Sequence, residues 1–337
     1  MNGDAPGQAA TASEPRVGVI VIGRNEGERL RQCLASVLGR ARRIVYVDSG
    51  STDGSVELAA SLGAIVHALD LQRPFTAARA RNEGARRLQT CGEELDFIQF
   101  VDGDCEVAPG WLGASAFFLR ERPEIAAVCG RRRERHPERS VYNLLCDLEW
   151  DTPVGATKAC GGDVLMRSSA FQEVGGFRED LIAGEEPELC VRLRNNGWLI
   201  WRLDLEMTMH DAAMSRFSQW WKRSTRAGFA YAEGARLHGG APERHWVRES
   251  RSAWAWGAVL PGALLAGAIL VTPWTLAGAA VYPLQVVRLF LRTPGPPRAR
   301  LARSAFLVLG KFAEASGQIR FLLQSLTGKR ARLIEYK

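Results

Sequence analysis

Residues Phe97-Ile98-Gln99-Phe100-Val101-Asp102-Gly103-Asp104 form a short apolar run that ends in two carboxylates separated by one glycine. A run of this length, rich in β-branched and aromatic residues, predicts a buried strand that delivers Asp102 to its carboxyl end. Gly103 permits a tight turn between the two carboxylates. Asp-Gly-Asp is by itself also an ordinary turn sequence, so its meaning depends on the segments around it.

The segments before this strand repeat one pattern, in which an apolar run is followed by a polar loop and then by apolar residues at helical spacing. Residues 17–22, 44–47 and 64–68 are predicted strands, and residues 77–88 are a predicted helix. Farther along the chain, residues 125–129 and 199–203 are predicted strands, and residues 131–139 are predicted to form a charged loop. Strands that alternate with helices predict an α/β fold with a mostly parallel central sheet, and such sheets bind ligands beyond the carboxyl ends of their strands. Asp102 and Asp104 are therefore expected at a ligand-binding edge.

Carboxylates at such an edge favour a hard divalent cation. Asp102 and Asp104 offer oxygen ligands of the type that Mg²⁺ or Mn²⁺ binds together with phosphate and water. The pair is thus a candidate site for a divalent metal that would also bind a phosphate-bearing ligand.

Asp102 and Asp104 belong to an ordered series of motifs. In chain order these are Val19-Ile20-Val21-Ile22-Gly23-Arg24-Asn25-Glu26, Val47-Asp48-Ser49-Gly50-Ser51-Thr52-Asp53-Gly54, Ala80-Arg81-Asn82-Glu83-Gly84, Phe100-Val101-Asp102-Gly103-Asp104, Gly161-Gly162-Asp163-Val164-Leu165-Met166-Arg167, Val174-Gly175-Gly176-Phe177-Arg178-Glu179, and Gly184-Glu185-Glu186-Pro187-Glu188-Leu189. The series closely resembles the family 2 glycosyltransferases, which have the GT-A fold, and the resemblance covers residues 16–210.

The resemblance implies roles for individual residues. Donor-binding positions are Glu26, Asp48, Asp53, Arg81 and Asp102. The metal positions are Asp102, Asp104 and His210, although a lone histidine is as often a structural hydrogen-bonding group. The turn Gly161, Gly162 and Asp163 corresponds to the floor of the acceptor site.

The catalytic base in the family is usually the aspartate of a Glu-Asp pair, and this chain has Glu186 at that position. The departure leaves the base open between Glu186 and Glu185. Family 2 enzymes invert the anomeric centre, so one carboxylate must take the proton of the acceptor hydroxyl. In the competing interpretation the two glutamates only supply negative charge at a helix N-terminus, with Pro187 in the first turn.

The C-terminal part differs in composition from the rest of the chain. Residues 253–271 and 274–290 are apolar except for Arg288, which predicts two marginal membrane spans or one re-entrant hairpin. Residues 288–337 contain 11 Lys and Arg and two Glu, a net charge of +9, which leaves −2 for the remainder of a chain with a net charge of +7. This distribution favours anionic lipid over nucleic acid as the partner, with both ends of the hairpin in the cytoplasm. The alternative is a buried helical hairpin in a soluble protein.

Four parts are therefore predicted: a disordered tail at residues 1–15, a GT-A domain at 16–240, a transmembrane or re-entrant hairpin at 250–292, and a basic amphipathic segment at 298–337. The predicted function is inverting sugar transfer from a nucleotide sugar to a lipid-linked or saccharide acceptor, in polysaccharide or glycolipid assembly for the cell envelope. The catalytic domain is expected at the cytoplasmic face of the membrane. The alternatives are a polyprenyl-phosphate sugar synthase and a non-catalytic scaffold that binds a nucleotide or lipid. A dehydrogenase is disfavoured because no G-x-G-x-x-G follows the first strand.

Overall fold

The computed structural model describes residues 14–90, 92 and 94–327. The predicted tail up to residue 13, and residues 328–337 of the predicted basic segment, lie outside these described residues. The strands of the described part are β1 (Val17–Gly23), β2 (Arg43–Asp48), β3 (Ile65–Ala68), β4 (Phe97–Asp102), β5 (Cys105–Val107), β6 (Ile125–Glu134), β7 (Gly155–Ala156), β8 (Val164–Arg167) and β9 (Leu199–His210).

The α-helices of the same described part run between and after these strands. They are α1 (Glu28–Val37), α2 (Ser55–Ser61), α3 (Ala77–Gln89), α4 (Trp111–Glu121), α5 (Val141–Glu149), α6 (Ser168–Glu173), α7 (Glu185–Asn195), α8 (Phe217–His238), α9 (Val247–Trp254), α10 (Leu260–Leu270), α11 (Val281–Arg292) and α12 (Pro297–Thr327). A π-helical stretch, Ala255–Val259, joins α9 to α10, and a 3-10 helix, Pro273–Ala280, precedes α11.

One sheet contains all the described strands, in the order β3-β2-β1-β4-β8-β6-β9-β5, with β7 beside β9. The strands β3, β2, β1 and β4 are parallel to one another, as the sequence predicts. Beyond them the sheet is mixed, because β8 runs antiparallel to both β4 and β6 while β6 and β9 are parallel. The parallel half brings the ends of β1, β2 and β4 to one edge.

Helix α3 packs directly on the parallel half of the sheet, and Gly84 makes this close packing possible. A Cβ atom at Gly84 would lie 2.5 Å from Cγ2 of Ile20 on β1 and 3.0 Å from Cγ2 of Val47 on β2. The same helix carries Arg81, so the close approach sets the position of that side chain relative to the strand ends.

One local prediction is wrong. Residues 131–139 were expected to form a charged loop, but β6 continues through Glu134. The strand continues because residues 131–134 pair in parallel with residues 206–210 of β9, which also extends farther than the predicted strand 199–203. Register shifts lie between residues 129 and 132, where β-bulges re-aim side chains. The arginines of this run therefore belong to the sheet edge rather than to a solvated loop.

The helices after the sheet form two groups. Helix α12 packs along α8 at very short range, since a Cβ atom at Gly317 would lie 2.0 Å from the carbonyl oxygen of Thr225. Phe229 of α8, Phe321 of α12 and Ile182 form a small buried cluster. The second group, α10 and the 3-10 helix, forms a hairpin in which no residue is buried within the described part of the chain.

Candidate active site

Several of the predicted donor-binding residues lie at the carboxyl edge of the parallel strands. Asp48 ends β2 and Asp102 ends β4, while Asn25 and Glu26 follow β1. Asn25 has a positive φ of 56° and its side-chain oxygen accepts a hydrogen bond of 2.7 Å from the amide of Thr52. The first two loops are thereby tied together across the edge of the sheet.

Asp48 organises the second loop from within. Its Oδ2 accepts hydrogen bonds from the amides of Gly50 at 2.8 Å and Ser51 at 2.9 Å, and its Oδ1 accepts one from the hydroxyl of Tyr46 at 3.0 Å. Asp53 is exposed, and its Oδ1 accepts hydrogen bonds from the hydroxyl and the amide of Ser55, which lower the pKa of this carboxyl group. The loop thus presents Asp53 to solvent while Asp48 stays buried.

Arg81 joins two parts of the predicted site. Its Nη1 donates to Oε1 of Glu185 at 2.7 Å, and its Nη2 donates to Oδ1 of Asp102 at 2.8 Å. The side chain is almost fully buried, which alone would lower its pKa, but Asp102 and Glu185 raise the pKa above its ordinary value. The residue matched to donor binding therefore also connects the metal motif with the candidate base.

Asp163 is fully buried, and its carboxylate binds groups from three different strands. Its Oδ1 accepts a hydrogen bond from the amide of Asp102 at 3.1 Å, and its Oδ2 accepts one from the hydroxyl of Thr208 at 2.8 Å. Arg132 of β6 forms an ion pair of 2.6 Å with the same Oδ2 and lies 3.6 Å from Oδ2 of Asp102. Asp163 thus holds the end of β4 and Arg132 rather than facing solvent.

The glycines of the predicted acceptor turn differ in their surroundings. Gly161 has a φ of +100° and its amide donates to Glu186. A Cβ atom at Gly162 would lie 3.0 Å from Nη2 of Arg81 and 3.1 Å from Oδ2 of Asp102. Gly162 therefore leaves room for the contact between Arg81 and Asp102.

Asp104 and His210 lie together on the neighbouring part of the edge. Nε2 of His210 is 3.3 Å from Oδ2 of Asp104, and the ligand atoms of Asp104, Cys105 and His210 all lie within 4.8 Å of one another. A carboxylate and an imidazole suit Mn²⁺, which also takes water and phosphate oxygens. Asp102, the third predicted ligand, instead directs its carboxylate at Arg81 and Arg132. The geometry brings together Asp104 and His210 but gives Asp102 a different set of partners.

The two candidate bases at the start of α7 point to different surroundings. Glu186 is 2% exposed, and its two oxygens accept hydrogen bonds from the amides of Cys160 at 2.8 Å and Gly161 at 2.9 Å. Burial raises the pKa of the Glu186 carboxyl group. Glu185 is 9% exposed and pairs through Oε1 with Arg81. Glu186 therefore binds the start of the predicted acceptor turn, whereas Glu185 faces the edge that holds Asp102.

Sequence reasoning missed three residues that line this site. Arg132 was assigned to a loop, Glu134 lies 3.7 Å from Nδ1 of His210, and the ring of Trp150 packs edge-on against the ring of His210 at 4.8 Å. The guanidinium of Arg132 also lies 5.2 Å from the centre of the Trp150 ring. The only signal in the sequence was the arginine run next to a predicted strand. The pairing of β6 with β9 places these arginines in the sheet beside the site.

Comparison with known proteins finds similarity to one enzyme family. Residues 18–157 match the model described as glycosyl transferase family 2. Two curated relatives are a pre-mycofactocin glycosyltransferase of Mycobacterium tuberculosis, 29% identical over 60% of this chain and 46% of the relative, and the O-antigen chain rhamnosyltransferase RfbN of Salmonella typhimurium, 24% identical over 47% and 53%. This chain spans about half the length of the curated relatives it matches.

A solved structure confirms the fold. The mannosyltransferase PcManGT of Pyrobaculum calidifontis, in complex with GDP-Man and Mn²⁺, aligns with a TM-score of 0.56 over 94% of this chain and 88% of that chain, at 20% identity. The predicted GT-A fold is therefore confirmed, with its sheet of parallel and antiparallel strands.

Proposed function

We propose that this chain is a family 2 glycosyltransferase that transfers a sugar from a nucleotide-sugar donor to a lipid-linked or saccharide acceptor with inversion. The match of residues 18–157 to the family model supports this proposal. The observation that carries the proposal is the buried Arg81, which bonds Asp102 on one side and Glu185 on the other. A leaving-group site and a base site must lie close together for direct displacement, and Arg81 links one candidate for each.

The donor is assigned to the edge between the ends of β1, β2 and β4. The loop that Asp48 organises, together with the exposed Asp53, forms one side of this proposed donor site. Glu26 forms the other wall, next to Gly103, where a Cβ atom would lie 3.3 Å from Cγ of Glu26. Nucleotide recognition by these loops agrees with their position at the carboxyl ends of parallel strands.

Mg²⁺ or Mn²⁺ is assigned to Asp104 and His210. The two side chains approach within 3.3 Å and bring one carboxylate oxygen and one imidazole nitrogen to the same point. A bound cation would neutralise the charge that develops on the departing diphosphate. The Trp150 ring packs perpendicular to the imidazole of His210 and restrains its orientation. Arg132, held by Asp163, adds a positive charge beside Asp102.

We assign the general base to Glu185 and a positioning role to Glu186. A base must present an oxygen to the acceptor hydroxyl, and both oxygens of Glu186 already accept hydrogen bonds from the amides of Cys160 and Gly161. Glu185 uses Oε1 for Arg81, and among the described residues Oε2 has no hydrogen-bond partner. The assignment departs from the position at which the family usually has its base.

The C-terminal part of the chain supports the proposed acceptor and the proposed location. The described residues include two helical segments long and apolar enough to cross a membrane, Val247–Leu270 and Pro273–Arg292. An enzyme held at a bilayer favours a lipid-linked acceptor, and the basic flanks favour the cytoplasmic face. The relative that transfers rhamnose to the O-antigen chain supports a role in cell-envelope polysaccharide assembly.

The proposal is tested on the full chain in membrane vesicles. Nucleotide sugars are screened for protection against heat unfolding with Mn²⁺ and with EDTA, since a bound donor stabilises the folded state by mass action. The protecting donor, radiolabelled, is then supplied with a lipid extract. Metal-dependent protection by one donor and transfer of label to the extract support the proposal. Protection without any transfer to lipid or saccharide fractions would favour a non-catalytic scaffold.

A further inference from the structure

The hairpin formed by residues 260–280 stands apart from the rest of the structure. Its side chains are exposed to an extent unusual for apolar residues: Ile269 is 81%, Leu270 81% and Trp274 84% exposed. Residues 260–280 contain no charged residue. A soluble protein rarely leaves a continuous apolar surface of this kind in water, so lipid is the partner that this surface fits.

Packing divides each candidate span into two parts. Helix α12 packs against residues 255–259 and against α11, whereas α10 and the 3-10 helix pack chiefly on each other. The hydroxyl of Tyr282 donates to the carbonyl oxygen of Trp256 at 2.7 Å, and a Cβ atom at Gly257 would lie 2.0 Å from the carbonyl oxygen of Lys311. The base of the hairpin is therefore fixed to α12, and only residues 260–280 project from it.

The projecting part is too short to cross a bilayer. The 11 residues of α10 extend for about 16 Å at 1.5 Å per residue. The eight residues of the 3-10 helix also extend for about 16 Å at 2.0 Å per residue. The hydrocarbon core is about 30 Å thick, so each projecting arm covers about half of it.

The second arm would cross the hydrocarbon core only if α11 were also embedded in it. Helix α11 is not suited to that position, because it exposes basic side chains as well as apolar ones. Leu284, Val287 and Leu291 are exposed on α11. Arg288 is exposed within the same segment, and Arg292 ends it. A helix with this mixture of exposed leucines and arginines suits the boundary between lipid and water, where long basic side chains reach the headgroups.

Helix α12 continues this boundary surface toward the catalytic domain. Exposed leucines occur along it at Leu301, Leu309, Leu323 and Leu326, while Gly317 and neighbouring small residues face α8. Helix α12 packs backbone to backbone on α8. This packing fixes the position of the boundary surface relative to the GT-A domain. The excess of basic residues after Arg288 favours an anionic leaflet.

We infer that the C-terminal element is monotopic: residues 260–280 insert into a single leaflet of an anionic membrane, and α11 and α12 lie at its surface. The inference rests on the membrane attachment proposed above and excludes its transmembrane form. The turn at residues 271–274 would end inside the hydrocarbon, and both arms would leave through the surface by which they entered.

Accessibility of an introduced cysteine tests this inference on the full chain produced in a bacterial host. Val271→Cys places a thiol at the tip, and Pro294→Cys places a matched thiol at the base after α11. A membrane-impermeant maleimide is applied to spheroplasts and to inverted membrane vesicles, and total thiol is measured after denaturation in SDS. The unaltered chain provides the background from native cysteines.

A single-leaflet hairpin predicts that Val271→Cys is unreactive in both preparations until denatured, while Pro294→Cys reacts in inverted vesicles alone. Reaction of Val271→Cys in spheroplasts would show a transmembrane hairpin and overturn the inference, leaving membrane attachment intact. Reaction of both variants in inverted vesicles, or recovery of the chain in the soluble fraction, would overturn the inference and the proposed attachment together.

Discussion

Nη1 of Arg81 lies 2.7 Å from Oε1 of Glu185, although 104 residues separate the two along the chain. The same guanidinium reaches Asp102 at 2.8 Å, so one buried cation links the end of β4 to the start of α7. This contact connects the side of the site proposed to bind the leaving group with the side proposed to bind the acceptor.

Removal of Arg81 should be costly for both stability and activity. Arg81→Gln leaves two carboxylates without their shared cation, and loss of one partner from a buried ion pair costs about 3–5 kcal/mol. Denaturant unfolding should show a loss of that order, and sugar transfer should fall by at least about 100-fold. Arg87→Gln, an exposed change on the same helix α3, should alter unfolding by less than about 0.5 kcal/mol. Equal effects of the two variants on unfolding and sugar transfer would contradict the proposal that Arg81 links Asp102 to Glu185.

Glu185→Gln and Glu186→Gln should separate catalysis from positioning. Glu185→Gln removes the proposed base and should lower kcat by about 100-fold or more with little change in donor affinity. Glu186→Gln keeps the shape but weakens the bonds to the turn at Cys160 and Gly161, so it should raise the KM for the acceptor and lower the melting temperature. Steady-state kinetics with separate donor and acceptor titrations measure the difference. A larger loss of kcat in Glu186→Gln would move the base to Glu186.

The contact between α8 and α12 should tolerate no added side chain at Gly317. Gly317→Ala would place a Cβ atom 2.0 Å from the carbonyl oxygen of Thr225 and 2.7 Å from the amide nitrogen of Phe229. Overpacking of this kind costs about 1–3 kcal/mol, which thermal unfolding would record as a lower melting temperature. The control is Gly113→Ala in α4, where nothing lies within 4 Å of the added Cβ and helix propensity improves. An unchanged melting temperature for Gly317→Ala would contradict the close packing.

Glu233 of α8 should make stability fall as pH rises. Burial raises the pKa of its carboxyl group to about 7. The unfolded chain loses this proton near its ordinary pKa of about 4.3, so the folded state holds more protons between that pH and 7. Stability from this group is complete below the unfolded pKa and is lost as pH approaches 7. Glu233→Gln should therefore match the unaltered chain at pH 4 and melt at a higher temperature at pH 8, whereas exposed Glu57→Gln should change neither value. An equal melting temperature for Glu233→Gln and the unaltered chain at pH 8 would contradict the assignment.

Local patterns in the sequence were enough to predict much of the fold. Apolar runs and the loops after them predicted β1 to β4 and their common edge, because burial and turn chemistry act over a few residues. The end of β6 was not predictable in this way. Its arginines remain in a strand because β9 pairs with them and because Asp163 and Glu206 bind Arg132 and Arg133, contacts that depend on the folded sheet.

The candidate site was also predictable only in part from the sequence. The motif order predicted that Asp102, Asp104 and the glutamate pair would belong to one site. It did not predict that Asp102 would pair with Arg81, or that the two oxygens of Glu186 would be occupied by the amides of Cys160 and Gly161. These partners come from α3 and from the turn before β8, so only the packed structure identifies them.

The most direct test of the account is metal-dependent sugar transfer by the full chain and by Asp104→Ala. Both are incubated in membrane vesicles with the protecting nucleotide sugar, an acceptor lipid extract and Mn²⁺, and release of nucleoside diphosphate is measured together with labelled product. The unaltered chain should release diphosphate and transfer sugar in equal amounts, and both should be lost with EDTA. Sugar transfer should fall by at least about 100-fold in Asp104→Ala. Unchanged transfer and unchanged dependence on Mn²⁺ in Asp104→Ala would contradict the assignment of this site.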